Sequence, residues 1–255
     1  MGDMDPAVPP DDRGLLLGDG LFETVLVKAG EPVLWAEHMA RLIRGCAVLG
    51  LPAPDSDALL VEARRAAGDL ARAAVRLTWT AGSGGRGLVR PEPAQPRLVV
   101  TAAASPKPEG PAALITSSVR RNAGSPASRL KSLSYLDSVL ARREALAAGA
   151  DEALMLDTDG RLASASAANL FWIAGGRLHT PSLDGAVLGG IMRAQVLATV
   201  GVTEVAAGPE ALADAEALFL TSSLIGVRAV SSLDGRAFAA HPLIEDLQAR
   251  LSAVS

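Results

Sequence analysis

Arg129-Leu130-Lys131-Ser132-Leu133-Ser134-Tyr135-Leu136 stands between a polar loop and a run of helical periodicity, and its reading decides the fold. The apolar spacing after it predicts a helix over 134–148. Lys131 therefore lies on a loop or strand end just before a helix. A lysine in such a place is ordinarily solvated, because its ammonium group is rarely buried. A lysine that forms a Schiff base needs a partly desolvated site, where the neutral amine can attack a carbonyl. Tyr135, the sole Tyr of the chain, follows four residues later. It reads either as a core aromatic of the helix or as a phenol beside the amine.

Outward from this stretch the chain falls into two halves. Upstream, 23–28 alternates as a strand, 29–32 is a turn, and 33–35 begins a second strand. Helices are predicted over 36–49 and 57–70, and strands over 74–80 and 97–103. Between those strands lies a glycine-dense loop, Gly82-Ser83-Gly84-Gly85-Arg86-Gly87. Residues 105–111 (SPKPEGP) have no apolar periodicity and read as an interdomain linker. Downstream, strands are predicted at 113–117, 153–156, 162–164, 169–173, 177–180, 217–221 and 225–230. Helices cover 189–200 and 242–251. Strands interspersed with helices in both halves give an α/β (α+β) protein of two domains: 1–105, with 1–11 a disordered tail, then a linker at 106–111, then 112–255.

Composition narrows the function. The 255 residues are 49% hydrophobic and 20% charged, an ordinary globular balance. The net charge is −4 and no basic block exceeds a pair, so no nucleic-acid footprint is expected. No apolar run approaches the roughly 20 residues that span a bilayer, and the first residues lack a signal-peptide pattern. Cys46 is the single cysteine, and His38, His179 and His241 are far apart, so neither a disulfide nor a metal centre is expected. A soluble cytoplasmic protein is the expectation. Only three lysines exist, Lys28, Lys107 and Lys131, so amine chemistry has three candidates. Lys28 ends a strand at a turn and Lys107 lies in the linker.

Other segments carry weaker signals. Leu188-Gly189-Gly190-Ile191-Met192-Arg193 opens a helix with paired glycines, and exposed N–H groups at a helix start suit a phosphate. Thr221-Ser222-Ser223 offers hydroxyls at a strand end, and Arg41 a cation on a helix. Taken singly, these read equally well as a turn, a strand end and a solvated arginine.

In order along the chain stand Gly18-Asp19-Gly20-Leu21-Phe22-Glu23-Thr24, His38-Met39-Ala40-Arg41-Leu42, Lys131-Ser132-Leu133-Ser134-Tyr135-Leu136, Asp151-Glu152-Ala153-Leu154, Asn169-Leu170-Phe171, Thr180-Pro181 and Gly189-Gly190-Ile191-Met192-Arg193. From about residue 12 to 235 the sequence thereby resembles the class IV (fold type IV) pyridoxal-phosphate enzymes. These include branched-chain and D-amino-acid aminotransferases and 4-amino-4-deoxychorismate lyase. Residues 167–172 and 82–87 look most like the lyase.

The resemblance implies a homodimer with a small N-terminal α/β domain, a C-terminal cofactor-binding pseudobarrel, and pyridoxal 5'-phosphate as cofactor. It makes Lys131 the aldimine-forming residue and proton shuttle, and Thr24 a second catalytic residue on the substrate-side strand. It gives Arg41 the phosphate and places Tyr135 against the ring oxygen. It directs the backbone N–H groups of Ile191 and Met192, after Gly190, at the phosphate, and makes Thr221 and Ser222 the second phosphate turn. Arg86 becomes a substrate-binding residue, and Ser164 and Asn169 join the cofactor set. The implied reaction is elimination of pyruvate to give 4-aminobenzoate.

The sequence departs from the pattern at one position above all. Family members carry a Glu five residues before the Asn of the NLF motif, paired with the protonated pyridine nitrogen. Here that position is Ser164, and 162–168 (LASASAA) contains no acid. A serine can hydrogen-bond the nitrogen but cannot hold a pyridinium by charge. This favours elimination over transamination, and leaves open a member without ordinary pyridoxal chemistry. Leu88 also replaces a Tyr common in relatives, and the strand that relatives place before Asp12-Arg13-Gly14 is expected to be absent.

Overall fold

The structure, a computed structural model, describes residues 8–255. Most of the expected disordered tail, residues 1–7, lies outside the described residues. The rest of it is held: Asp12 N donates to Pro9 O at 3.0 Å and Gly84 N to Asp11 O at 3.4 Å. The chain divides into two compact units, 1–106 with 130–134, and 107–129 with 135–255. The first break falls at Pro106/Lys107, and the Lys131 stretch packs with the N-terminal unit.

The first unit contains α1 (Arg13–Leu17), β1 (Gly20–Lys28), β2 (Glu31–Pro32), α2 (Trp35–Leu49), α3 (Ser56–Ala67), β3 (Arg72–Thr80) and β4 (Arg97–Ala104). Its antiparallel sheet runs β2-β1-β3-β4. Among the described residues no strand precedes β1. The short helix α1, which the sequence pattern does not announce, stands there instead. Asp12 caps it by accepting from Gly14 N at 2.8 Å, and Gly18 ends it at φ 66°. The strand expected at 33–35 is a helix start, because Leu34 adopts φ 53° and turns the chain directly into α2.

Strand parity sorts β1 into two faces. Leu21, Val25 and Val27 join Val75 and Leu77 of β3 beneath Met39, Leu42 and Cys46 of α2 and Leu59 and Ala63 of α3. Phe22 and Thr24 point to the opposite face, with Thr78 and Arg76 as their cross-strand partners on β3.

The second unit contains β5 (Ala112–Thr116), α4 (Leu136–Ala147), β6 (Glu152–Leu156), β7 (Leu162–Ala165), β8 (Asn169–Ala174), β9 (Arg177–Pro181), α5 (Ile191–Thr199), β10 (Val202–Val205), β11 (Ala217–Ser222), β12 (Gly226–Leu233), β13 (Arg236–Ala237) and α6 (Pro242–Arg250). The nine-stranded sheet is ordered β10-β9-β8-β11-β12-β5-β6-β7, with β13 paired to β12. It mixes parallel and antiparallel pairs and curls into a half-barrel. Leu154, Leu156, Leu162, Leu170, Trp172, Leu218, Leu220 and Val230 fill one face. On the other face Ala141 and Ala145 of α4 pack on Ala153 and Met155, and Phe171 stacks on Phe219 at 4.8 Å. β6 is buried on both faces of the sheet, which is why 153–156 reads as a continuous apolar run.

Candidate functional site

In the first unit the Lys131 stretch lies along the start of β1. Phe22 N donates to Lys131 O at 2.9 Å, Leu133 N to Gly20 O at 3.0 Å, and Leu21 and Ser132 form an antiparallel bridge. Leu130 packs against the first core. These contacts fix the lysine's backbone and leave its side chain on the Phe22 face of the sheet. Lys131 Nζ rests 4.2 Å from the Phe22 ring centroid, and Arg76 Cζ lies 3.6 Å from the same centroid. Thr24, half-buried, stands on this side of the sheet opposite Arg76. The fold therefore gathers Lys131, Thr24, Phe22 and Arg76. The last two were not singled out in the sequence. The β1–β3 register that brings Arg76 there cannot be read from β1 alone.

Arg41 is placed differently. From α2 it forks onto Glu23, Nε to Oε1 at 2.8 Å and Nη2 to Oε2 at 2.6 Å, while His38 Nδ1 meets Glu23 Oε2 at 2.7 Å. Glu23 is fully buried on the helix-packed face of β1. Burial pushes its carboxyl up, but the bonds and charge of Arg41, followed by those of His38, outweigh it and hold the pKa at about 2. Arg41 is thus oriented by a buried carboxylate. Arg86 is exposed in the glycine-rich loop.

In the second unit Ser164, Asn169 and Thr221 share the sheet face opposite the leucine-rich interior. Ser164 pairs with Met155 and Thr221 with Asn169, whereas their strand neighbours Ala165, Leu170 and Leu220 belong to that interior. All three are buried. Asn169 Nδ2 donates to Leu188 O at 2.9 Å, and a Cβ on Gly190 would sit 1.9 Å from Asn169 Oδ1. Only a glycine admits that approach. It sets the entry into α5, whose first residues Ile191 and Met192 are buried and whose start has no side-chain cap. Their N–H groups therefore lack helical acceptors. The Oγ1 of Thr221 is buried with no hydrogen-bond partner among the described residues. An uncapped helix start and an orphaned buried hydroxyl on neighbouring elements are what a phosphate would complete. The residues present fit that group. Ser222 is half-buried, its Oγ accepting from Ile225 N at 3.4 Å, and Tyr135 is the residue that opens α4.

The acid of β6, Glu152, is already taken up. Ser166 Oγ, Ala153 N at 2.8 Å and Arg142 at 2.7 Å all bind its carboxylate. Among the described residues no group of three or more His, Cys, Asp or Glu could hold a metal ion. No helix is long and apolar enough to cross a membrane.

A family model described as amino-transferase class IV matches residues 20–233. The chain belongs to the class IV aminotransferase family. Its relatives within that family divide between two chemistries. Aminodeoxychorismate lyase of Bacillus subtilis is 31% identical over 89% of this chain and 82% of its own. A Methanocaldococcus jannaschii protein that carries a provisional branched-chain-amino-acid aminotransferase name is 35% identical over 91% and 84%. The crystal structure of 4-amino-4-deoxychorismate lyase from Pseudomonas aeruginosa superposes with a TM-score of 0.89 at 34% identity, covering 96% of this chain and 94% of that one. The α/β architecture with its curled half-barrel is accordingly that of the fold type IV pyridoxal-phosphate enzymes.

Proposed function

We propose that this family member is a pyridoxal-phosphate-dependent lyase that eliminates pyruvate from 4-amino-4-deoxychorismate and leaves 4-aminobenzoate. The observation that carries the choice is Ser164, a buried hydroxyl in a segment, 162–168, that holds no acid, while Glu152 on the paired strand is held by Arg142 and Ser166. Segment 162–168 offers no carboxylate to balance a protonated ring nitrogen, so charge is best passed on to a leaving group. The likeness to two lyases supports the same reading.

The phosphate of the cofactor would be held by the N–H groups of Ile191 and Met192 after Gly190, the hydroxyls of Thr221 and Ser222, and the guanidinium of Arg41. Asn169 and Tyr135 would bound the ring, with Ser164 at its nitrogen. When bound, pyridoxal phosphate supplies a conjugated electron-accepting ring joined to the substrate amine. Lys131 Nζ removes the proton from the carbon that bears that amine. The neighbouring ether bond breaks, and its electron pair leaves with the enolpyruvyl oxygen. Thr24 would hand that group a proton as it becomes pyruvate, and Arg86 would meet a substrate carboxylate. Both products form without a keto-acid acceptor.

Pyruvate release from aminodeoxychorismate alone is the expected result, with a visible absorbance band that borohydride abolishes and Lys131→Ala lacks. Turnover that depends on an added keto acid would instead establish an aminotransferase, the reading that the M. jannaschii and D-alanine aminotransferase relatives favour. No band in the wild type would overturn both. Ser164→Glu is expected to raise transamination relative to elimination; an unchanged ratio would refute the role given to Ser164.

A further inference from the structure

We propose that Arg13 is a positioning residue that shapes the glycine-rich loop 82–90 from inside, so that Arg86 meets the substrate at a fixed place. The inference rests on the reading of Arg86 as a substrate contact. Arg13 opens α1, yet only 4% of it is exposed. Its guanidinium points into the loop. Nη1 donates to Gly87 O and Val89 O, both at 3.2 Å, Nη2 to Leu88 O at 3.1 Å, and Nε to Asp19 Oδ2 at 2.9 Å. The incoming arm is tied down by the same segment: Arg13 N donates to Gly82 O at 2.9 Å, and Asp12 bridges Ser83. The outgoing arm is tied by Arg90, whose Nε reaches Asp19 Oδ2 at 2.9 Å. Asp19 thus joins the two arginines, whose hydrogen bonds hold its carboxyl below the usual carboxylate range, that of Arg90 foremost.

A loop with glycine at four of its first six positions has few side chains to pack and much backbone freedom. Gly82, Gly84, Gly85 and Gly87 all adopt positive φ. Leu88 and Val89, its apolar residues, are 85% and 73% exposed and contribute no core. What orders it is a planar fork of donors aimed at converging carbonyls, a geometry that guanidinium supplies and ammonium does not. Arg86 then projects from a turn closed by Val89 N donating to Arg86 O at 3.4 Å, ordered before substrate arrives.

The test pairs amide hydrogen exchange with kinetics on the holoenzyme. In Arg13→Lys, amides 83–90 are expected to exchange about tenfold faster or more, read without substrate, and the KM for aminodeoxychorismate to rise about tenfold with kcat within threefold. Arg86→Ala is expected to raise KM to a similar degree without changing the exchange. Gly85→Ala offers a route that leaves Arg13 intact. At φ +81° its Cβ would lie 2.3 Å from Val89 O and 3.2 Å from Arg13 Nη1, so the loop must lift off the fork with the same two effects. Unchanged exchange in both loop variants overturns the inference. Faster exchange with unaltered KM, while Arg86→Ala raises it, also overturns it and leaves the Arg86 reading intact. An Arg86→Ala variant with wild-type KM sinks that reading itself.

Discussion

Glu23 concentrates the electrostatics of the first unit in one carboxylate. Its pKa falls from 4.5 to about 2. A depressed acid pKa stabilises the fold above the unfolded value, and that contribution fades as pH falls from about 4.5 toward 2. A drop of that size corresponds to about 3 kcal/mol at neutral pH, as an order of magnitude. Glu23→Gln should therefore cost stability of that order at pH 7, and its urea midpoint should vary less than the wild type's between pH 5 and 2. Parallel pH profiles for the two proteins would count against this. The sequence showed Glu23 only as a member of a motif. Its parity on β1, toward α2 and not toward Lys131, separates the residue that orients Arg41 from the neighbours that face the amine. A consecutive string of letters hides that division, since Phe22 and Thr24 flank Glu23 yet stand on the other side of the sheet.

At the scale of elements, the start of α5 and the end of β11 make a joint prediction. Thr221 Oγ1 has no partner among the described residues, so Thr221→Val removes an unsatisfied hydroxyl from the cofactor-free fold. An unmade hydrogen bond of this kind costs roughly 1–3 kcal/mol. The valine variant should be as stable as the wild type or more so, yet bind inorganic phosphate and pyridoxal phosphate about tenfold more weakly. Calorimetry of both ligands with both proteins checks it, and undiminished phosphate affinity would refute the cradle. This pair was legible in advance, because paired glycines before an apolar helical period and hydroxyls after a strand are local signals. Most longer strands and helices were legible for the same reason, whereas the short strands β10 and β13 were not. The helix α1 was not, since its five residues show no period and Leu15 and Leu16 are largely exposed. The α2 start was misread as a strand because Leu34 takes a left-handed conformation that β-rich letters do not foretell.

For the whole molecule, some of the large apolar residues left outside lie on α1 and the glycine-rich loop. Leu15 and Leu16 on α1 are 64% and 62% exposed, and Leu88 and Val89 on the loop more so. An isolated exposed leucine is ordinary, whereas a contiguous apolar patch marks a surface that another protein covers; Arg13 of α1 binds the carbonyls of Gly87, Leu88 and Val89, which brings the two pairs into one neighbourhood. We propose a homodimer that buries them. Leu16→Glu together with Leu88→Glu should shift the protein to monomers in sedimentation equilibrium, and an unchanged dimer would place the interface elsewhere.

The passage of residues 130–134 into the first unit, with 107–129 and 135–255 in the second, has a topological consequence. The chain crosses between the units three times, at 106–107, 129–130 and 134–135. Lys131 lies on the segment that returns to the first unit. A nick between Pro106 and Lys107 would leave the C-terminal piece still holding Leu133 N to Gly20 O and Lys131 O to Phe22 N. Such a nicked protein should elute as one species under native conditions and separate only in denaturant. The N-terminal piece made alone would lack the segment that borders β1, so the two pieces should need each other to fold.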